Sequence, residues 1–183
     1  MSSEEVAELR SLVASHLTLY YDTHFNLLRW IQAMIYYKIS ARFAEIEYKL
    51  YNLGISCACA WEVDLIHKTD RDTHPLHKYW PITVAGVTES NSLVLVEQSG
   101  FIDYEGIHDH FCLTDIVKAK LHDAESVLAR IMEIEKETGK QAYAILVIDS
   151  EGVPYSKKLV DLMLGPMNCR SEFMLQHYVE LVE

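Results

Sequence analysis

Residues 114–149 read TDIVKAKLHDAESVLARIMEIEKETGKQAYAILVID and carry the strongest structural signal in the chain. Apolar side chains spaced by three and four positions predict an α-helix over 115–138, with Thr114 as its N-cap and Gly139 at its end. The apolar run at 143–149 predicts a strand that is buried on both faces. The buried stripe of the helix is predicted to be Val117, Leu121, Ala124, Leu128 and Ile131.

Two further strands are predicted upstream of this helix. The β-branched and apolar runs ITVAGV at 82–87 and SLVLVEQ at 92–98 flank the polar residues TESN, which predicts a hairpin. The second of these strands, the helix and the strand at 143–149 make a β-α-β crossover, which implies parallel pairing. The chain is therefore predicted to be an α/β protein with a mixed or parallel sheet. Shorter helical pieces are predicted between Gly100 and Gly106, at about 156–164 and at about 167–181.

The first part of the chain is predicted to be helical. The segment EEVAELRSLVASHL at 4–17 is amphipathic, and its acidic first turn suits the positive end of the helix dipole. Asp22 and Thr23 are both good N-cap candidates for a second helix, and a third helix is predicted from Ser40 to the stop signal at Gly54. The polar residues 67–81 read as a connector. The predicted domains are a helical subdomain at 1–77 and an α/β domain at 78–183.

Composition and charge exclude several classes of protein. The 183 residues are 50% hydrophobic and carry a net charge of −11, most of it after residue 80. This composition is typical of a globular chain, and an acidic surface disfavours nucleic acid and electrostatic adhesion to anionic membranes. The four cysteines form no C-x-x-C pair, which predicts reduced thiols and a cytoplasmic protein.

Few residues suggest catalysis. The phosphate-binding glycine motifs and the G-x-S-x-G nucleophile motif are absent from the sequence. His108 and His110, near Cys112, could bind zinc, and Asp149 could add a functional carboxylate at the end of its strand. The competing interpretation, which we favour, is that the histidines are solvated and Asp149 caps a turn. We therefore predict no metal site, no cofactor and no enzymatic activity.

Five segments, taken in order, resemble the CRAL-TRIO family of lipid-transfer proteins. THFNLLRWIQA resembles the helical motif that opens these proteins, and KYWPITVAG resembles the entry to their lipid-binding domain. LVLVEQSGFIDYEGI and AILVIDSEGV resemble two of the family's strand-and-turn motifs, and QHYVE resembles the end of the helix that follows. These segments occupy residues 23–33, 78–86, 93–107, 144–153 and 176–180.

The resemblance implies a helical N-terminal subdomain and an α/β domain that holds one lipid-like molecule in an apolar cavity beneath a gate helix. It implies non-enzymatic lipid binding and intracellular transfer, of a phosphatidylinositol-transfer-like kind, with reversible contact at a membrane. The pocket is predicted on alternate strand residues, although periodicity alone allows the opposite set equally well. The predicted ligand-binding residues are Leu93, Leu95, Ala144, Leu146, Ile148 and, by its match to the family's headgroup glutamate, Glu180.

The sequence also departs from the family pattern. Residues 88–94 lack the Gly-Arg-Pro of the usual turn, and Gln32 and Met34 stand where phosphoinositide-binding members carry arginine. The sequence ends at Glu183, before the gate helix of the family, so the domain is expected to be incomplete. The alternative hypothesis is a shortened member that acts as a protein-interaction module without lipid binding, through its tyrosine-rich helical half.

Overall fold

The computed structural model describes residues 3–15, 17–36, 63–66 and 68–168. The chain divides into two compact units, Met1–Leu65 and Ile66–Glu183. The sequence prediction put the domain boundary later, between residues 77 and 78, whereas residues 66–77 group with the second unit. The assignment of functions to the two domains stays a prediction.

The described part of the first unit contains two helices, α1 (Ser3–Val13) and α2 (His24–Tyr36), and the short helix α3 (Val63–Ile66) follows later in the chain. Thr23 accepts a hydrogen bond from the backbone N–H of Asn26, so of the two predicted candidates it is Thr23 that caps α2. The two helices share a small core of Val6, Leu9, Val13 and Leu27. The third helix predicted at residues 40–53 lies outside the described residues.

The second unit is built on a three-stranded mixed sheet in the order β1-β2-β3. Its strands are β1 (Thr83–Val87), β2 (Ser92–Gln98) and β3 (Tyr143–Asp149). The antiparallel pairing of β1 with β2 confirms the predicted hairpin, and the parallel pairing of β2 with β3 confirms the predicted crossover.

Two helices connect β2 to β3: α4 (Tyr104–His110) and the long α5 (Leu113–Thr138). The cap of α5 differs from the prediction, because the Asp115 carboxylate accepts hydrogen bonds from the N–H and S–H of Cys112. Gly139 ends the helix as predicted, with a left-handed φ of 67° that suits glycine. The buried face also differs, since Ile116 is buried whereas Val117 is only half-buried.

After β3 the chain forms helix α6 (Lys157–Leu162) and a π-helical turn, Met163–Met167. Lys158 ties α6 to α4 through ion pairs of 2.7 Å with both Glu105 and Asp109. The prediction that β3 is buried on both faces is wrong at its carboxyl end, where Val147 and Ile148 are 46% and 55% exposed. The helix predicted at 167–181 lies almost entirely outside the described residues.

Candidate ligand-binding cavity

A cavity of about 360 Å³ lies between one face of the sheet and helix α5, entirely within the second unit. The registers Leu93↔Ala144 and Leu95↔Leu146 bring alternate residues of β2 and β3 to the same face. Helix α5 contributes residues at helical spacing to the opposite wall, and the turn after α6 adds two methionines. The apolar lining is Trp80, Ile82, Val84, Leu93, Leu95, Tyr104, Ala124, Val127, Ala144, Leu146, Ile148, Met163 and Met167.

The strand residues predicted from the sequence come together in this cavity. Leu93, Leu95, Ala144, Leu146 and Ile148 all line it, and they do so from the same face of the sheet. Their role in binding a ligand stays a prediction. Glu180, the sixth predicted residue, lies outside the described residues.

Charged groups gather around Trp80 at one end of the cavity. Ser126 and Arg130 add polar lining from farther along α5. The Lys120 ammonium lies 3.6 Å from the centre of the Trp80 ring, within the range of a cation–π contact. The indole N–H of Trp80 donates to Oε2 of Glu97 at 2.7 Å. Lys120 is only 2% exposed, so its charge lies inside the protein and needs such partners. This end could orient the polar part of an amphiphilic ligand.

Asp123 is the centre of a buried charged cluster at the same end. Its carboxylate oxygens lie 2.6 Å from Nε of Arg71, 3.0 Å from Nζ of Lys120 and 3.2 Å from Nε2 of His77. Burial by itself raises the pKa of Asp123, but Lys120, the His77 hydrogen bond and Arg71 together hold that pKa well below its usual value. Asp123 is therefore a carboxylate at neutral pH and balances positive charge around the cavity.

The described part of the connector, residues 68–81, supplies Arg71 and His77 to this cluster. Arg71 donates from Nη2 to the carbonyl of Trp80 at 3.0 Å while its Nε pairs with Asp123. His77 is buried between the carbonyls of Arg71 and Ala119. The sequence analysis interprets this segment as a polar link, and its mostly polar composition does not indicate that Leu76, His77 and Trp80 are buried.

The described residues provide no geometry that supports the zinc hypothesis. Across the described residues, no group of three or more His, Cys, Asp or Glu side chains is placed to hold a metal ion. His108 and His110 are exposed, and Nδ1 of His108 lies 3.4 Å from Asp109. Asp149 accepts a hydrogen bond from the N–H of Glu151, which is the turn-capping role that competed with a catalytic one.

Among the described residues, no helix combines the length and the apolar character that a bilayer span requires.

Comparison with known proteins finds a distant similarity to one family. No family model matches the sequence. A CRAL-TRIO domain-containing protein of Caenorhabditis elegans is 23% identical to the chain over the chain's whole length. The chain spans 44% of the length of this relative. Together with the mixed α/β sheet, this similarity supports the CRAL-TRIO resemblance read from the sequence motifs.

Proposed function

We propose that this protein binds one small hydrophobic molecule, of a lipid type, in the cavity between the sheet and α5 and carries it without chemical change. The observation that supports the proposal best is the sheet face itself, where Leu93, Leu95, Ala144 and Leu146 form a continuous apolar wall. The volume of about 360 Å³ lies within the usual range for small-molecule sites.

The physical advantage of such a site is the removal of apolar surface from water. Each methylene group buried contributes about 0.8 kcal/mol, so an acyl chain of modest length gains several kcal/mol in the cavity. Binding of this kind needs no bond to be made or broken. We accordingly assign no catalytic residue to the cavity.

The finer features of the proposal come from the family resemblance. In this proposal the carrier works in the cytoplasm, collects its ligand during transient contact with a membrane, and belongs to the phosphatidylinositol-transfer-like branch. Glu180 then contributes to the polar end of the site. Lipids with a polar head and an apolar tail suit a cavity that has Lys120 and Glu97 at one end and leucines along its wall.

Filling the cavity tests the proposal. Replacing Leu146→Trp adds bulk inside the cavity, and we expect binding of anthroyloxy stearate or a pyrene-labelled fatty acid to weaken by at least about tenfold, since close-packed sites do not absorb extra atoms. Val147→Trp is the matched control, because Val147 is the next residue of β3, points to the other face and is 46% exposed. Fluorescence titration and native mass spectrometry measure the occupancy.

Equal binding by both tryptophan variants would contradict the placement of the ligand in this cavity. A folded wild-type chain that carries no extractable lipid and takes up neither probe from vesicles would contradict lipid binding altogether. That second outcome would favour the protein-interaction alternative.

A further inference from the structure

Three histidine rings pack in a row where the connector meets α5. The centres of the His74 and His77 rings are 5.7 Å apart, and those of His77 and His122 are 5.6 Å apart. His74 and His77 come from the connector and His122 from α5, so the row joins two elements. Arg71 and Trp80, on the same connector, line the cavity.

His74 holds the connector together as a hydrogen-bond acceptor. Its Nδ1 accepts from the backbone N–H of Leu76 at 3.2 Å and thereby caps the turn Pro75–Lys78. A ring nitrogen accepts only when it carries no proton. Adding a proton to Nδ1 therefore removes this cap.

His122 joins α5 to the start of the connector. Its Nε2 lies 2.9 Å from the carbonyl of Thr69 and 3.1 Å from the Thr69 hydroxyl. Its Nδ1 lies 3.5 Å from the hydroxyl of Ser126 on the next helical turn. The neutral ring donates from Nε2 to Thr69, whereas the Ser126 hydroxyl donates to the backbone carbonyl of His122 at 2.8 Å. A second proton on the ring would add charge beside Arg71.

Two cations and two carboxylates surround the row. The groups that face the histidines are Arg71 from the connector and Asp115, Lys120 and Asp123 from α5. Asp123 already pairs with Arg71, Lys120 and His77, so it has little capacity to neutralise further cations. Positive charge on His74 would be repelled by His77 and His122, and positive charge on His122 would be repelled by His77 and Arg71.

We propose that this histidine row is an acid-sensitive latch: protonation of His74 and His122 releases the connector from α5 and opens the polar end of the cavity. The consequence for a bound ligand rests on the function proposed above, whereas the opening itself does not. Acid conditions would then favour ligand release.

The direction of the pH effect follows from how the pKa values of His74 and His122 differ between the closed and the opened connector. Burial, followed by repulsion from His77, lowers the pKa of His74, and burial likewise lowers the pKa of His122 from 6.5. As the pH falls, His74 and His122 are therefore protonated at a higher pH in the opened connector than in the closed one. Closure is strongest above the ordinary value of 6.5 and weakens as the pH falls below it.

Hydrogen exchange of the ligand-free chain tests the latch directly. We expect the protection factors of amides in the connector, corrected for the intrinsic rate, to fall about tenfold between about pH 7.5 and about pH 5.5. In the double variant His74→Asn and His122→Gln, the fall should be less than about twofold, because Asn still accepts at the cap and Gln still donates to Thr69. His108→Asn, at an exposed histidine, should behave as the wild type.

An unchanged wild-type protection factor would overturn the latch, and so would an equal fall in the wild type and the double variant. If the double variant does not fold, the single variant His74→Asn serves, with a smaller fall than the wild type as the supporting result. The dissociation rate of anthroyloxy stearate over the same pH range tests the second step. A latch that opens without faster dissociation would overturn the proposed release while leaving lipid binding itself intact.

Discussion

Asp123 is a single buried carboxylate that we expect to contribute strongly to the stability of the fold. It is 7% exposed and lies within hydrogen-bond distance of Arg71 and Lys120. Replacing Asp123→Asn removes a negative charge that both cations share, and breaking a buried pair in this way costs about 3–5 kcal/mol. We expect the free energy of unfolding, measured with urea, to fall by about that amount.

The control for Asp123 is an ion pair of similar length at the surface. Glu133→Gln removes the 2.7 Å partner of Arg130, but both side chains are exposed, so the loss should stay below about 1 kcal/mol. The pKa of Asp123 is depressed in the folded chain, so its contribution is present above the usual carboxyl pKa of 3.8 and is lost only in strong acid. A similar loss in both variants would contradict the central role of Asp123.

At the scale of elements, the backbone just after β2 passes very close to the backbone just after β3. A Cβ placed on Gly100, just after β2, would lie 2.0 Å from the carbonyl oxygen of Glu151, just after β3. Gly100→Ala must push these two loops apart, and we expect it to lower the midpoint of thermal unfolding, with a loss of about 1–3 kcal/mol.

Gly165→Ala is the matched control for this approach, since a Cβ there meets no atom within 4 Å. It should be neutral or slightly stabilising, because alanine restricts the unfolded chain more than glycine does. Equal melting temperatures for the two alanine variants would show that the loops after β2 and β3 adjust freely.

The elements themselves were largely predictable from the sequence, because the repeat of apolar residues in α5 and the polar turn before β2 are local signals. The exposure of Ile148 was not predictable, since an apolar run does not reveal how much of it a neighbouring element covers. The cavity wall was predicted only as one of two strand faces. The charged cluster was missed, because Arg71 and Asp123 are 52 positions apart and no local pattern links them.

For the whole molecule, the net charge of −11 sets the response to membrane charge. If the chain carries lipid, transfer of the pyrene-labelled probe should slow as anionic lipid is added to phosphatidylcholine acceptor vesicles, because like charges repel. Salt near 0.15 M screens charges beyond about 8 Å and should relieve the slowing. Pure phosphatidylcholine vesicles are the control, and faster transfer to anionic vesicles would contradict the prediction.

The pairing of β2 with β3 has a consequence for the order of folding. The hairpin β1–β2 joins neighbours in the sequence and can close in about 1–10 μs. Ser92 and Tyr143, by contrast, pair across the whole of α5, so this contact must wait until a long loop has closed. The leucine wall of the cavity is completed only at that later step. On the ribosome, the cavity therefore forms only after β3 has emerged, and until then the apolar face of the hairpin stands exposed.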